Sequence, residues 1–317
     1  MLACNQAPDG LEVSLTPAAP STLDELVVVF DSQATDANDD QITYHYTWTV
    51  DGGRTEHDGE LMASGETRKG QLWQVRVIAT DGKQPGIPAI AEVTVVNTPP
   101  TADVRLTPEV PRTADPLKVE ADLNDIDRDT VAVTYSWSLN GSVVSIREPE
   151  VRPTRTSKGD VWEVTVTPSD DEVDGEPVVV SVTIANTPPT ADKAVIEPQA
   201  PDRTSVLRCE GVGWQDADDD DEDWLVQWKV DGAPVSVERT LAVAPYVRGS
   251  KVVCILSPFD GEDAGEPHTS NEVQVRNTPP SIGSVAIGPE DPLIEDDVSA
   301  TLTGEVDLDS DDIELEY

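Results

Sequence analysis

Three short segments of the chain alternate between apolar and polar residues, which is the pattern of a half-buried β-strand. The apolar members of the three segments are Tyr44, Tyr46 and Trp48; Val133, Tyr135 and Trp137; and Trp224, Val226 and Trp228. An Asp-Gly or Asn-Gly pair follows each tryptophan, at 51–52, 140–141 and 231–232. Such pairs tolerate positive φ at both positions and suit tight hairpins. Short strands, frequent turns and the lack of a helical period therefore predict β-sandwiches.

The tetrapeptide Asn-Thr-Pro-Pro recurs at nearly constant intervals, at 97–100, 186–189 and 277–280. A basic-Gly pair stands at a matching place in each interval, at 69–70, 158–159 and 248–249. Features that recur together at one spacing indicate tandem homologous domains. Paired prolines fix φ and favour extended backbone, so we expect the tetrapeptide to be a semi-rigid spacer whose own side chains bind nothing.

The repeats predict three complete domains and the beginning of a fourth. The predicted segments are a short leader at 1–5 and domains at 6–97, 98–186, 187–277 and 278–317. Alignment of 15–17 with 106–108 places Gln6 opposite Asn97. The tryptophan of the fourth domain would be due just beyond Tyr317, so we expect the chain to be a fragment of a longer protein.

The composition is strongly acidic, with 62 Asp and Glu against 21 Lys and Arg and a formal net charge of −41. Such a field repels nucleic acid and anionic lipid, which excludes functions that need a basic surface, and it attracts cations. Hydrophobic residues still make up 37% of the chain, and there are 7 tryptophans, which argues for packed cores over disorder.

Acidic triplets with alternating spacing precede the tryptophan strands, and a second acidic loop follows later in each repeat. The candidate ligands are Asp36, Asn38, Asp40 and Asp81; Asp125, Asp127, Asp129 and Asp170; and Asp216, Asp218, Asp220 and Asp260. Oxygen ligands at alternate positions of a turn can converge on a hard cation, so the pattern predicts calcium sites. The glycine that an EF-hand needs is replaced by Gln41, Thr130 and Asp221. The alternative is a set of solvated turns, because Asp is a common turn residue.

The two acidic loops of a repeat should lie at the same end of its sandwich, beside the incoming tetrapeptide. That many carboxylates repel one another, and a bound calcium ion would relieve the repulsion and stiffen the connection between domains. The sequence therefore predicts calcium sites at the domain junctions.

The stretches "YTWTVDGG", "YSWSLNGS" and "VQWKVDGA", each after an acidic triplet, resemble bacterial tandem immunoglobulin-like repeats of the PKD type. The acidic loops are also similar to those of cadherin-like modules. The resemblance implies an all-β fold of tandem immunoglobulin-like β-sandwich domains in a linear array. Modules of this kind serve as spacers, adhesins and enzyme appendages, so the resemblance specifies the fold more closely than the function.

The order Cys209, Trp228, Cys254 in the third repeat is that of the immunoglobulin sandwich, in which a disulfide joins the two sheets beside the tryptophan. The resemblance therefore implies a Cys209–Cys254 disulfide, which would require an oxidising compartment. Two buried free thiols are the alternative.

The amino terminus, Met1-Leu2-Ala3-Cys4, resembles the end of a bacterial lipoprotein signal, which implies lipidation of Cys4. Asn5 in the next position suits sorting to the outer membrane. An incidental free cysteine is the alternative. We expect an outer-membrane lipoprotein or an extracellular protein, attached to a membrane only through Cys4.

The sequence offers no catalytic set. His45, His57 and His268 do not recur between repeats, and phosphate-binding, zinc and nucleophile-elbow motifs are absent from the sequence. We therefore expect a non-catalytic structural or adhesion array in the cell envelope or outside the cell, with no cofactor other than calcium. The alternative is a set of carbohydrate- or protein-binding modules appended to a catalytic region, with surface glycans or proteins as partners. Trp214 has no counterpart in the other repeats and is the candidate sugar-binding aromatic.

Overall fold

The computed structural model describes residues 5–316, and within them the regular structure is β-strand apart from one turn of 3₁₀ helix at Pro153–Arg155. No helix in this range has the length and apolar character of a membrane span. The chain forms two compact units. The first contains the chain up to Glu109 with Pro116–Arg152 and Val161–Val182. The second contains Val110–Asp115, Pro153–Asp160 and the chain from Thr183 onward.

The first unit carries the strands of the first two repeats. They are β1 Glu12–Thr16, β2 Leu26–Ser32, β3 Thr43–Val50, β4 Gly53–Arg54, β5 Leu61–Met62, β6 Leu72–Thr80, β7 Ala89–Thr94, β8 Thr101–Thr107, β9 Leu117–Asn124, β10 Ala132–Leu139, β11 Ser142–Val143, β12 Glu150–Val151, β13 Val161–Ser169 and β14 Val178–Thr183. Each repeat forms a three-stranded and a four-stranded sheet, in the orders β1-β2-β5 and β4-β3-β6-β7, then β8-β9-β12 and β11-β10-β13-β14. The strand pairs are antiparallel.

The second unit repeats this plan. Its strands are β15 Lys193–Glu197, β16 Val206–Val212, β17 Asp223–Val230, β18 Ala233–Ser236, β19 Thr240–Ala242, β20 Lys251–Phe259, β21 His268–Thr269, β22 Val273–Gln274, β23 Ser284–Gly288 and β24 Ser299–Thr303. One sheet has the order β15-β16-β19, and the other has the order β18-β17-β20-β21 with β22 also paired to β20. The strands β23 and β24 pair with each other. The chain is thus a tandem series of immunoglobulin-like β-sandwiches.

The tryptophans of the alternating segments form the centre of each core. Trp48, Trp137 and Trp228 are fully buried. Each indole Nε1 donates to a backbone carbonyl in the following loop, at 2.8–3.0 Å, so that burial leaves no polar atom of the ring without a partner.

The cores differ in what packs beside the central tryptophan. Trp73 meets Trp48 edge to face with ring centroids 6.3 Å apart, and Trp162 meets Trp137 in the same way at 6.1 Å. In the third core Val252 stands in the position of Trp73 and Trp162, so the described residues place no second tryptophan at that position beside Trp228. There a disulfide joins Cys209 to Cys254, whose Cα atoms are 6.3 Å apart, within the cluster that contains Trp228. The disulfide therefore joins β16 to β20 beside the central tryptophan of the third core.

The alignment of Gln6 with Asn97 is wrong by one residue. Asn5 makes the contact that Asn97 makes one repeat later, because its Nδ2 donates to Asp81 at 2.8 Å as that of Asn97 donates to Asp170 at 2.7 Å. The pairing of β1 with β2 shifts register between Glu12 and Val13. One more residue separates Asn5 from 15–17 than separates Asn97 from 106–108, and a gap-free alignment cannot detect it.

Candidate functional site

The acidic triplets form tight turns organised by their first carboxylate. Asp36 Oδ1 accepts from the backbone N–H of Asn38 at 2.8 Å and of Asp40 at 3.1 Å. Asp216 Oδ1 accepts in the same way from Asp218 at 2.7 Å and Asp220 at 3.3 Å. Local hydrogen bonding of this kind explains why Asp begins each loop. The second oxygen of this carboxylate, Oδ2, takes no part in the hydrogen bonds of the turn.

The structure brings most of the predicted ligands together in three groups. Carboxylate oxygens lie within 4.8 Å of one another in the groups Asp36, Asp40 and Asp81; Asp125, Asp127 and Asp129; and Asp216, Asp220 and Asp260. Asp170 and Asp218 lie outside these groups. Buried oxygens without a hydrogen-bond partner among the described residues occur on Asp36, Asp125 and Asp216, in each case Oδ2. An unpaired buried carboxylate oxygen is costly, so each group has capacity for a donor or a cation.

The tetrapeptide contacts both acidic loops, as the sequence predicts. Asn97 Nδ2 donates to Asp170, the Thr98 N–H donates to Asp127 Oδ2 at 2.7 Å, and Thr98 Oγ1 accepts from the Thr22 N–H at 3.1 Å. Thr98 is buried. Proline lacks an N–H, so Asn and Thr supply the donors of the linker. We call this set of contacts, together with those of Lys69, the first junction. All of its residues belong to the first unit.

The second junction uses the equivalent residues of the second unit. Asn186 is 5% exposed, and its Nδ2 donates to Asp260 at 2.8 Å and to Asp263 at 3.1 Å. The Thr187 N–H donates to Asp218 at 2.6 Å. The Asn186 Oδ1 is buried and has no partner among the described residues.

Hydrogen bonds at the junctions lower the pKa values of the acceptor carboxyls. The amide of Asn97 is the main cause of the lowered pKa of Asp170. Burial works to raise the pKa of Asp260, but hydrogen bonds from Asn186 and from the backbone N–H groups of Asp263 and Glu262 outweigh it, and the pKa lies below the ordinary value. Both side chains are therefore held as carboxylates.

The basic-Gly pair of each repeat supplies a cation to the next acidic loop. Lys69 Nζ donates to Asp129 at 2.7 Å and also to Glu172. Lys158 Nζ makes the same contacts with Asp220 at 3.0 Å and Glu262 at 2.8 Å. These carboxylates hold the pKa of each lysine above its ordinary value. The calcium that the sequence predicts at the junctions thus has an ammonium group as competitor. Nothing in the residue spacing alone indicated this.

A third junction, formed by Arg203, Arg248, 277–278 and the triplet at 307–311, follows the same plan. Arg248 donates to Asp311 at 2.6 Å, and the Thr278 N–H donates to Asp309 at 2.5 Å. Asn277 makes no contact with a carboxylate among the described residues, and its Oδ1 accepts from Arg248 at 2.6 Å.

A glycine in the second acidic loop allows the linker to approach. An ideal Cβ on Gly175 would lie 1.9 Å from the Pro100 carbonyl oxygen, and one on Gly265 would lie 1.8 Å from that of Pro189. Gly86 has the same relation to Pro8, at 2.2 Å. Backbone atoms cannot give way as a flexible side chain can, so glycine is required wherever the second proline packs.

The remaining candidate residues lie apart from the junctions. Trp214 is half-buried and meets Trp224 edge to face at 5.4 Å, so its role in sugar binding stays a prediction. His45 is exposed on β3, and the His57 ring bonds to the Leu61 carbonyl oxygen. Cys4 lies outside the described residues.

Comparisons with known proteins give distant structural matches. No family model and no curated protein matches the chain. It is similar to the FN1–FN3 domains of chicken CNTN1, at 12% identity and a TM-score of 0.29, over 86% of this chain and 100% of that one. Three N-terminal domains of the bacteriophage RB49 highly immunogenic outer capsid protein match at 18% identity and a TM-score of 0.33, over 84% and 99%. Two fibronectin type III domains of chicken tenascin match at 13% identity and a TM-score of 0.31, over 56% and 99%.

Proposed function

We propose that this chain is a non-catalytic structural array in which each junction restrains the domains on either side of it. The observation that carries the proposal is the repetition of one contact set. Amide, backbone N–H and basic side chain each bind an acidic loop at the first junction and again at the second. A flexible tether needs none of these contacts. Their repetition is what we expect of linkers that fix the orientation of one domain relative to the next.

Amide hydrogen exchange tests the structural function. The Thr98 and Thr187 N–H groups donate to carboxylates, so we expect their exchange to be slowed at least about tenfold relative to an unstructured peptide. Replacement of Asp127 or Asp218 by Asn should remove most of this protection at the altered junction and leave the other junction unchanged. Exchange at the rate of a free peptide in the parent chain would contradict the proposal.

Calcium binding by the acidic groups is a second proposed property. It is supported by the unpaired buried Oδ2 atoms of Asp36, Asp125 and Asp216, and by Asn186, a buried amide that is bonded to Asp260 and has an unpartnered Oδ1. The group of Asp36, Asp40 and Asp81 is the best candidate, because among its carboxylates the Lys83 ammonium pairs with Asp40 alone and is itself well exposed, while the Lys83 backbone N–H donates to Asp81. Calcium would supply charge neutralisation that a lysine supplies at the later junctions.

Melting with chelator and with calcium tests this property. Extracellular calcium modules bind in the range of about 0.1–1 mM, so about 2 mM calcium should raise the melting temperature relative to EDTA. Asp36→Asn should reduce the shift more than Asp58→Asn, a control outside the groups. Equal melting temperatures in EDTA and calcium would exclude a calcium role.

The proposed location is the cell envelope or the extracellular space. The Cys209–Cys254 disulfide supports an oxidising compartment. Lipidation of Cys4 and attachment to an outer membrane are part of this proposal, and a gel shift after labelling with a fatty-acid analogue, lost in Cys4→Ala, would support them. The alternative function is that of a carbohydrate- or protein-binding module, and one feature of the first junction favours it.

A further inference from the structure

The first junction contains a surface pocket of about 410 Å³, a volume within the range of small-molecule sites. Its walls come from two parts of the first unit, the basic-Gly corner of the first repeat and the acidic triplet of the second. The lining residues are Thr22, Gly65, Thr67, Arg68, Lys69, Ile126, Asp127 and Arg128.

Two of these residues are arginines that break the repeat. The position of Arg68 is Ser157 in the second repeat and Val247 in the third. The position of Arg128 is Asp219 in the third repeat and Ser310 in the fourth, and all three residues have positive φ, at 68°, 59° and 64°. Asp and Ser thus satisfy the turn, so backbone geometry does not require an arginine there.

Both guanidinium groups lack hydrogen bonds and ion pairs among the described residues, in a chain with 62 Asp and Glu. The lysine beside them is neutralised by Asp129 and Glu172. The pocket therefore has two guanidinium groups without a partner among the described residues, and the planar shape of a guanidinium matches that of a carboxylate. The net negative field of the chain is screened beyond about 10 Å at ordinary ionic strength and does not prevent local recognition of an anion.

A buried hydroxyl in the pocket wall is also uncommitted. Thr67 is 1% exposed, and its Oγ1 has no hydrogen-bond partner among the described residues. The equivalent Thr156 is also buried, but its Oγ1 donates to the Pro153 carbonyl at 3.0 Å. The first repeat therefore leaves open a hydrogen bond that the second repeat makes internally, and a ligand group can complete it.

In the third junction, the place that corresponds to this pocket is occupied by an arginine side chain that donates hydrogen bonds. There Arg203 donates to the backbone carbonyls of Ala244 and Leu308. These residues match Gly65 and Ile126 in the repeat, and both of the latter line the pocket. The first junction has Thr22 near the place of Arg203 and keeps the space open.

We propose that this pocket binds a small hydroxylated carboxylate, of the size and chemistry of a hexuronic acid, with Arg68 and Arg128 on the carboxylate and Thr67 on a hydroxyl. This inference goes beyond the structural function and gives the alternative, sugar-binding function a site and a ligand class. It is distinct from the Trp214 surface, which lies in the second unit.

Titration of the ¹⁵N-labelled full chain with D-glucuronate tests the proposal. We expect saturable shifts of the Thr67, Ile126 and Arg128 amides, with D-glucose binding at least about tenfold more weakly. The double variant R68S/R128S carries the residues that other repeats have at these positions, and it should bind glucuronate at least about tenfold more weakly. The variant R54S/R152S has the same change in charge outside the pocket and should bind as the parent does.

Three results would overturn the proposal. They are an absence of saturable shifts with glucuronate, equal affinity for glucose, and unchanged affinity in R68S/R128S. Protection of the Thr98 amide, measured on the same samples, reports the junction separately, so that failure of the pocket and failure of the structural function can be told apart.

Discussion

The first and second junctions share their contacts and differ in how completely they close. At the second junction Asn186 is 5% exposed and binds two carboxylates, whereas Asn97 is half-buried and binds one. The first junction instead places two arginines, whose guanidinium groups have no partner among residues 5–316, beside an open pocket. The shared contacts belong to the architecture, and the departures from the repeat indicate where a junction has acquired another role.

The largest expected effect concerns the glycines that admit the linker. Gly265→Ala places a Cβ against the Pro189 carbonyl, and we expect a loss of unfolding free energy of about 3 kcal/mol, because neither backbone can yield. Gly141→Ala is the control, since Gly141 has a φ of 76° but nothing near its Cβ position, and it should lose about 1 kcal/mol. Urea unfolding measures both, and equal losses would contradict the packing account.

Replacement of the linker asparagines by alanine should have the next largest effect on the unfolding free energy, in the order of their burial. Asn186→Ala leaves Asp260 and Asp263 without their amide donor, and we expect a loss of about 2 kcal/mol. Asn97→Ala should lose less, and Asn277→Ala, whose amide contacts no carboxylate among the described residues, should lose least. Urea unfolding of the three variants orders them, and a different order would break the comparison between the junctions.

The same asparagines should alter the response to acid. The pKa values of Asp170 and Asp260 are lowered in the folded protein, so these groups stabilise the fold at pH above about 3.8, their ordinary value. That contribution is lost as the pH falls through the folded-state pKa values. The double variant N97A/N186A should therefore show a flatter fall of unfolding free energy between about pH 5 and pH 2. Parallel curves for variant and parent would show that the amides do not set these pKa values.

The lysines should give the smallest effect. Lys69→Met and Lys158→Met each remove two partly exposed ion pairs, so we expect a slight loss of stability that disappears in about 0.5 M salt. Lys83→Met, which removes one ion pair, with Asp40, and a long contact with Asn5, serves as the reference. Melting temperatures at low and high salt provide the measurement. A loss that persists at high salt would point to packing by the lysine stems.

The repeat pattern predicted the strands, the turns and the central tryptophans, because these depend on local periodicity. It also predicted that the linker meets both acidic loops, and the contacts of Asn97 and Thr98 confirm this. It missed the role of Lys69 and Lys158, since a basic residue before a glycine has no local consequence and gains its partners only from the next repeat. It also missed the additional residue of the first repeat between Asn5 and 15–17, which put Gln6 opposite Asn97.

The distance between the first two repeats tests the central claim most directly. Spin labels at Glu92 and Thr134, both exposed on strands of the first unit, can be measured by pulsed electron resonance in a Cys4→Ser background. We predict one narrow distance distribution that broadens in N97A/K69M and stays narrow in N186A, which alters only the second junction. A broad distribution in the parent, or no broadening in N97A/K69M, would contradict the claim that these contacts restrain the junction.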